Sequence, residues 1–238
     1  MTARRAFTLV ELLMAVAIVS LLAGLLVPAL ASAGRWGEAA ACQSNLRALG
    51  SGLSLYGFQH GGSLPPGPIE RAQWPGDPDR GSPYELYDAR RPGERLSSRQ
   101  GWYGMGLLWK AGCVENGASF YCRAGEKPPE NLQFAHAWPQ NLDAQRNPLD
   151  GKTRIYGSYA YRGGLASRAG TPLGPLNLHR HSGRLGVLSD NPCSGRMWHR
   201  GGYYIATLDG AVGFHAFDAP PVPDGRLQDL WSALPQPR

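Results

Sequence analysis

The feature that most constrains this chain is an apolar run close to its N-terminus. From Phe7 to Ala33 the only ionisable side chain is that of Glu11, and the stretch from Leu9 to Leu30 alone gives 22 residues. A helix rises about 1.5 Å per residue, so about 20 residues cross the hydrocarbon core of a bilayer. The run therefore predicts a membrane-spanning helix over residues 7–33.

Charges at the N-terminal end of the run predict its orientation. Arg4 and Arg5 lie directly before it, and basic flanks stay on the cytoplasmic side of a membrane. We therefore expect a single-pass protein whose N-terminus is cytoplasmic and whose remaining chain is translocated.

Glu11 is the anomaly inside this run, because a carboxylate in a membrane helix costs at least a few kcal/mol and usually marks a functional position. Residues 5–13 read Arg-Ala-Phe-Thr-Leu-Val-Glu-Leu-Leu, which resembles the type IV prepilin signature. The resemblance implies a leader over residues 1–6, cleavage by prepilin peptidase between Ala6 and Phe7, and N-methylation of Phe7. It also implies that Glu11 meets the N-terminal amine of a neighbouring subunit during assembly.

Two residues qualify this resemblance. Pro28 matches a proline that bends or locally melts these helices, so we expect an interruption or bend near Pro28 and Gly34. Ala6 departs from the family pattern, which favours Gly before the cut, and slower cleavage is expected.

The alternative reading of this segment is a secretory signal peptide cut before Gly34, after the small residues 31–33. The apolar core of such a signal usually has about 7–15 residues, which is shorter than this run. The length of the run and the presence of Glu11 favour the prepilin interpretation.

A second helix is predicted over residues 34–60. Apolar residues recur there at spacings of three and four, which marks one face of an amphipathic helix: Ala39, Cys42, Leu46, Leu49, Leu53 and Tyr56. We expect this stem helix to pack against an extracytoplasmic domain over residues 61–238. Residues 42–47 are similar to the stems of prepilin-like proteins.

The rest of the chain predicts short elements separated by loops rich in Gly and Pro. A short helix is expected at Trp102 to Lys110, and strands are expected within residues 153–161 and 184–189. Two β-rich runs, 203–208 and 211–217, flank Asp209-Gly210, which predicts a terminal hairpin with a type I′ turn. The predicted fold is α+β, with a long N-terminal helix packed on a small, loop-rich antiparallel domain of pilin-like type.

His199, followed by nine residues and then Asp209-Gly210, resembles the processing-associated motif of prepilin-like proteins, although Ala211 stands where that family often has His. We expect a structural role for the motif, with Asp209-Gly210 in a turn and His199 hydrogen-bonded to nearby backbone. The residue types that could form a metal or acid–base site are present at His179, His181, His199, His215, Asp190 and Asp209. Because these residues have no recognised ligand spacing, we predict no metal, no cofactor and no catalytic residue.

The cysteines of the translocated domain predict disulfide bonding. Cys42, Cys113, Cys122 and Cys193 are even in number and would lie where thiols oxidise, so one or two disulfides are expected. Cys122 is expected to join one of the other three, although the connectivity cannot be deduced from sequence. Free buried thiols are the alternative.

Charge gives little support to a nucleic-acid partner. The formal charge of +6 falls to +4 once Arg4 and Arg5 are removed, since 22 Lys and Arg then face 18 Asp and Glu. The remaining arginines are scattered, with no basic helix.

The sequence thus predicts a non-enzymatic, prepilin-like structural subunit of a type II secretion pseudopilus or a type IV pilus-like filament in the bacterial inner membrane. The resemblance implies four partners, namely prepilin peptidase, other pilin-like subunits, the assembly platform and membrane lipid. The alternative is an extracytoplasmic binding module that uses exposed tryptophans, for which the candidates are Trp74, Trp102, Trp109, Trp138 and Trp198. We expect most of these tryptophans to be core residues.

Overall fold

The computed structural model describes residues 8–66, 85–88, 101–102, 104–124, 154–166, 172–181, 183–190, 199 and 201–216. Its first element is helix α1 (Leu9–Gln59), which has 51 residues. The helix runs through Pro28 and Gly34 without interruption, so the interruption expected near these two residues is not found. A proline removes a single N–H donor from the helix, and the bonds on either side maintain α1 through this position.

Helix α1 ends at Gln59, and His60 is its C-cap, donating its backbone N–H to the carbonyl of Gly57 at 3.1 Å. The chain then turns through Gly61 and Gly62, both of which have positive φ. This left-handed turn directs the backbone back toward the domain.

The described part of the domain contains short strands and two short helices. In chain order these are β1 (Glu85–Asp88), α2 (Gly106–Lys110), the 3-10 helix η1 (Gly117–Phe120), β2 (Arg154–Tyr156), β3 (Ala160–Tyr161), β4 (Gly164–Ala166), β5 (Pro172–Pro175), β6 (Gly186–Ser189), β7 (Gly202–Thr207) and β8 (Val212–Ala216). The largest sheet has the order β3-β6-β7-β8, and two further pairs are formed by β1 with β2 and by β4 with β5. All these pairings are antiparallel, which confirms the α+β fold predicted from the sequence.

Helix α2 is shorter than the predicted helix from Trp102 to Lys110. Gly104 has a φ of 52°, in the left-handed region, so an α-helix cannot extend back through it. Trp102 and Trp109 are 0% and 1% exposed and lie in the core, as expected for tryptophans of this domain. The other three tryptophans proposed for a binding surface, at positions 74, 138 and 198, lie outside the described residues.

The hairpin of β7 and β8 pairs residues from Gly202 with Ala216 to Ala206 with Val212. The Gly210 N–H donates to the carbonyl of Thr207 at 2.9 Å, and Gly210 has a φ of 84°. The connection is therefore a three-residue loop that ends in a left-handed glycine. The prediction of a two-residue type I′ turn at Asp209-Gly210 is wrong. Asp209 would be the first of the two central residues in that turn, whereas it is the second central residue in the observed one.

The two halves of α1 have opposite surroundings. Apolar residues of its C-terminal half are buried against the domain: Cys42, Leu46, Leu49, Leu53 and Tyr56. Large apolar residues of its N-terminal half are exposed along the whole stretch from Leu9 to Leu30. One continuous helix thus combines an uncovered apolar half with a half that belongs to the domain core.

Gly57 packs closely against a side chain of the domain. A Cβ atom built on Gly57 would lie 2.3 Å from Leu178 Cδ1, which is too close for any real side chain without movement of Leu178. Gly57 therefore lets the backbone of α1 approach the loop that follows β5.

Candidate functional site

The N-terminus of α1 is closed by a reciprocal pair of hydrogen bonds between Thr8 and Glu11. The Glu11 N–H donates to Thr8 Oγ1 at 3.3 Å, while Glu11 Oε2 accepts from the Thr8 N–H at 2.9 Å and from the Thr8 hydroxyl at 2.8 Å. This capping box holds the Glu11 carboxylate at the helix N-terminus, where the helix dipole favours a negative charge. Both bonds accepted by the carboxylate use the same oxygen, Oε2.

The apolar half of α1 is long and apolar enough to cross a membrane, and none of its best 18-residue window is buried against the described chain. This exposure distinguishes it from the core helix of a soluble domain, although a secretory signal would pass the same test of length and composition. The predicted processing residues, Ala6 and Phe7, lie outside the described residues.

A disulfide joins the stem to the domain. Cys42 of α1 is bonded to Cys122, which follows η1, and their Cα atoms are 5.1 Å apart. Close by, Asn45 Nδ2 donates to the carbonyl of Tyr121 at 2.9 Å. The disulfide links positions 80 residues apart, so it fixes a distant part of the domain to the C-terminal half of α1.

A buried ion pair lies against this disulfide. His199 Nε2 is 2.9 Å from Asp190 Oδ2 and 3.5 Å from Cys122 Sγ, and the His199 and Asp190 side chains are only 7% and 0% exposed. Asp190 Oδ1 accepts the N–H of Tyr204 at 2.6 Å, and the His199 ring meets the Tyr204 ring edge-on at 5.0 Å. The side-chain partner of His199 is therefore a carboxylate and not the backbone group expected from the sequence.

The charge of Asp190 is felt by two tyrosines of the domain. Burial, and then the negative charge of Asp190, raises the pKa of Tyr203 to about 12. Burial also raises the pKa of Tyr159; a hydrogen bond with Asn45 opposes part of this rise, and the charge of Asp190 adds a smaller increase. Both phenols therefore stay neutral at ordinary pH.

The spacing between His199 and Gly210 corresponds to strand β7, which lies between them. His199 precedes the strand and contacts Cys122, the disulfide partner of Cys42. Gly210 follows the strand, and a Cβ atom built on Gly50 of α1 would lie 3.9 Å from the Gly210 Cα. Because Cys42 and Gly50 are eight residues apart on α1, or about 12 Å, both ends of the motif lie over the stem helix.

Asp209 serves the turn and takes no part in the buried pair. Its Oδ1 accepts from the Thr207 hydroxyl and from the Ala211 N–H at 3.2 Å. These two hydrogen bonds, in that order, are the main causes that lower the pKa of the exposed Asp209 carboxyl, and the charge of Arg184 adds a smaller effect.

The remaining histidines and cysteines named from the sequence lie elsewhere. His215 on β8 stacks on Tyr203 with a ring separation of 5.7 Å, and its partial burial lowers its pKa. His181 Nδ1 is 2.9 Å from the backbone N and 2.9 Å from the backbone O of Asn177. His179 lies in the same turn, and its N–H donates to Asn177 Oδ1. Cys113 Sγ lies 3.6 Å from Gln59 Oε1, and Cys193 lies outside the described residues.

Sequence reasoning missed the pairing of Asp190 with His199. A signal was present, because Asp190 directly follows β6, whose four residues are all buried. A carboxylate that continues a buried strand must find a partner. Which of the histidines would supply it depends on the sheet order β6-β7, which spacing does not give.

Comparison with known proteins identifies the N-terminal segment. Residues 1–27 match the family model of the prokaryotic N-terminal methylation motif. The chain matched neither a curated protein nor a solved structure. The matched segment contains the Thr8–Glu11 capping box and most of the exposed apolar helix. The chain therefore carries a prepilin-type N-terminal methylation motif at the head of a long apolar helix that is followed by small antiparallel sheets, the arrangement of a pilin-like protein.

Proposed function

We propose that this chain is a structural subunit, and not an enzyme, of a filament of the type IV pilus or type II secretion pseudopilus class. The observation that carries the proposal is the N-terminal methylation motif, which lies on an exposed apolar helix of membrane length. Before assembly this helix anchors the subunit in the inner membrane, and the domain lies on the periplasmic side.

Processing is the first step of the proposed pathway. Prepilin peptidase removes residues 1–6 by cutting between Ala6 and Phe7, and Phe7 becomes the N-methylated first residue. The new amine then lies one residue before Thr8, the N-cap of α1. The charge of that amine and the capped Glu11 carboxylate are therefore presented at the same end of the helix.

Glu11 is proposed to guide assembly. In the single chain its Oε2 is occupied by Thr8, and no described residue donates to Oε1. The Thr8 bonds lower the cost of holding a carboxylate in the membrane, while the second oxygen can accept the amine of an incoming subunit. That pairing would fix the axial stagger between neighbouring helices.

The stem is suited to carry the domain rigidly on the filament. Its buried face, the Cys42–Cys122 disulfide and the Asn45 hydrogen bond join the C-terminal half of α1 to the domain at several points. A subunit pulled by its apolar half would therefore move as one body. The alternative, a binding module with exposed stacking tryptophans, has less support because Trp102 and Trp109 are buried.

The experiment compares three single substitutions in the producing cell. Glu11→Leu removes both the charge and the cap, Glu11→Gln keeps the cap and removes the charge, and Glu38→Leu is a matched control on the exposed part of the stem. We expect all three proteins to be processed and inserted in the membrane. Only the two Glu11 variants should lose sheared filaments or secreted protein.

Normal filament or secretion output in both Glu11 variants would contradict the assembly role. Loss in Glu11→Leu alone would assign the effect to the helix cap and reject the pairing with an amine. Equal output from all three variants, together with ligand binding by the domain, would support the binding module.

A further inference from the structure

Three potential metal ligands converge at the junction of the stem and the domain. The ligand atoms of Cys42, Cys122 and His199 all lie within 4.8 Å of one another, and all three residues are buried. Asp190 Oδ2 lies outside this cluster but is 2.9 Å from His199 Nε2, so a small movement of its side chain would add a fourth ligand. We propose that the dithiol form of this protein binds one Zn²⁺ through Cys42 Sγ, Cys122 Sγ, His199 Nε2 and Asp190 Oδ2.

The distance between His199 and Cys122 fits one edge of a zinc tetrahedron. With Zn–S near 2.3 Å and Zn–N near 2.0 Å, adjacent sulfur and nitrogen ligands lie about 3.5 Å apart. His199 Nε2 and Cys122 Sγ are separated by 3.5 Å. In the dithiol form the two sulfurs must move from bonding distance to about 3.8 Å, which rotation of the cysteine side chains can supply.

The orientation of His199 favours a metal over nucleophilic catalysis. In a nucleophile–histidine–carboxylate relay, the nucleophile and the carboxylate meet opposite ring nitrogens. Here Asp190 and Cys122 both meet Nε2. The pair does not have the arrangement of such a relay, whereas the mutual approach of Cys42, Cys122 and His199 is what a metal site needs.

Asp190 Oδ2 is available as a ligand for such an ion. Its Oδ1 is held by the Tyr204 N–H, whereas Oδ2 is fully buried and makes no hydrogen bond of good geometry within the described chain. Its short contact with His199 is thus an ion pair at close range and not a well-aligned hydrogen bond. The Tyr204 N–H orients the carboxylate from outside, which is the support that metal-binding carboxylates commonly have.

The chemistry balances without an added reductant, because a newly made chain carries thiols. Two thiols each release a proton, and the resulting thiolates, the neutral imidazole and the carboxylate bind Zn²⁺ with a net charge of −1. Formation of the disulfide instead passes two electrons and two protons from the same thiols to a disulfide or quinone oxidant outside the chain, and leaves only His199 and Asp190 as ligands. Zinc and the disulfide are therefore alternative links between α1 and the domain.

The test uses the full mature chain in detergent, with Cys113→Ser and Cys193→Ser as a background in which only the proposed cysteines can bind metal. Chains reduced with a phosphine under nitrogen, and matched chains left oxidised, are dialysed against Zn²⁺ and analysed for metal per chain. We expect one ion per reduced chain and none per oxidised chain. His199→Ala and Asp190→Asn should each lose stoichiometric binding, the latter while keeping an acceptor for the Tyr204 N–H.

A measurement on the background protein itself guards against variants that fail to fold. X-ray absorption at the zinc edge should give two sulfur ligands near 2.3 Å and two nitrogen or oxygen ligands near 2.0–2.2 Å. Absence of a stoichiometric ion from the reduced chain, a ligand set without two sulfurs, or full zinc retention in His199→Ala would each overturn the proposal.

Discussion

Removing His199 from the oxidised, disulfide-bonded protein tests the structural account of the buried pair. In the intact protein the His199 side chain is 7% exposed and that of Asp190 is 0% exposed. His199→Ala therefore leaves the buried Asp190 carboxylate without the group that it meets at 2.9 Å, and removing one partner of a buried pair typically costs about 3–5 kcal/mol. Asp190→Asn should cost less, because the amide oxygen still accepts from the Tyr204 N–H and the variant has no carboxylate to bury.

A double-mutant cycle of His199 and Asp190 measures the coupling free energy between the two residues. In the double variant the charge whose burial makes His199→Ala costly is already gone. The free energy of unfolding of the double variant should thus fall by less than the sum of the single changes, with a difference of about 0.5–3 kcal/mol. His179→Ala, at an exposed histidine, is the matched control and should change stability by no more than about 0.5 kcal/mol.

The assay is denaturant unfolding of the mature chain in detergent without reductant, followed by tryptophan fluorescence, to which the buried Trp102 and Trp109 contribute. The reasoning would be refuted if His199→Ala cost less than about 1 kcal/mol, or if the single changes were additive. Either result would mean that the Asp190 charge does not depend on His199 in the folded protein.

Three further predictions concern the disulfide and the terminal turn. Replacing Cys42 with Ala opens a link between positions 80 residues apart and should lower the free energy of unfolding by about 4.5 kcal/mol on the chain-entropy account, with non-reducing peptide mapping confirming the loss of the bond to Cys122. Gly210→Val should destabilise the domain more than Gly210→Asn in thermal unfolding, because a β-branched residue resists a φ of 84°; equal losses would reject the left-handed turn. The Thr207 hydroxyl is the chief cause that lowers the folded-state pKa of Asp209. The contribution of the ionised Asp209 to the free energy of unfolding is therefore complete above the unfolded pKa and is lost as pH falls through the folded pKa. The stability difference between the wild type and Asp209→Asn should therefore shrink as the pH falls below the unfolded pKa of about 3.9, and a constant difference would count against the hydrogen bonds of the turn.

The long helix could be predicted from sequence because its signals are local. The apolar run from Leu9 to Leu30 needs only composition, and the buried face that includes Leu46 and Leu53 needs only the helical period. The structure places both within α1 and shows the second half buried. Pro28 does not interrupt the helix, since the loss of one hydrogen bond does not end a helix that has many others, and a bend at Pro28 stays a prediction.

The junction could not be predicted in the same way, because it depends on which distant segments meet. The presence of a hairpin was signalled by Asp209-Gly210, but its turn type depends on the conformation of Leu208 and Asp209 as well as of Gly210. The pairing of Asp190 with His199 requires the neighbouring positions of β6 and β7. The disulfide pairing of Cys122 with Cys42 likewise requires η1 to lie against α1, and no local sequence pattern specifies that contact.

The central claim, that this chain is processed as a prepilin, is tested most directly by the N-terminus of the mature protein. The protein should be purified from membranes of cells with and without prepilin peptidase, and its intact mass and N-terminal sequence should be determined. With peptidase present, the account predicts a chain that begins at Phe7, lacks residues 1–6 and carries one methyl group on its amine. A mature chain that begins at Gly34, or one that keeps Met1 in both strains, would contradict it.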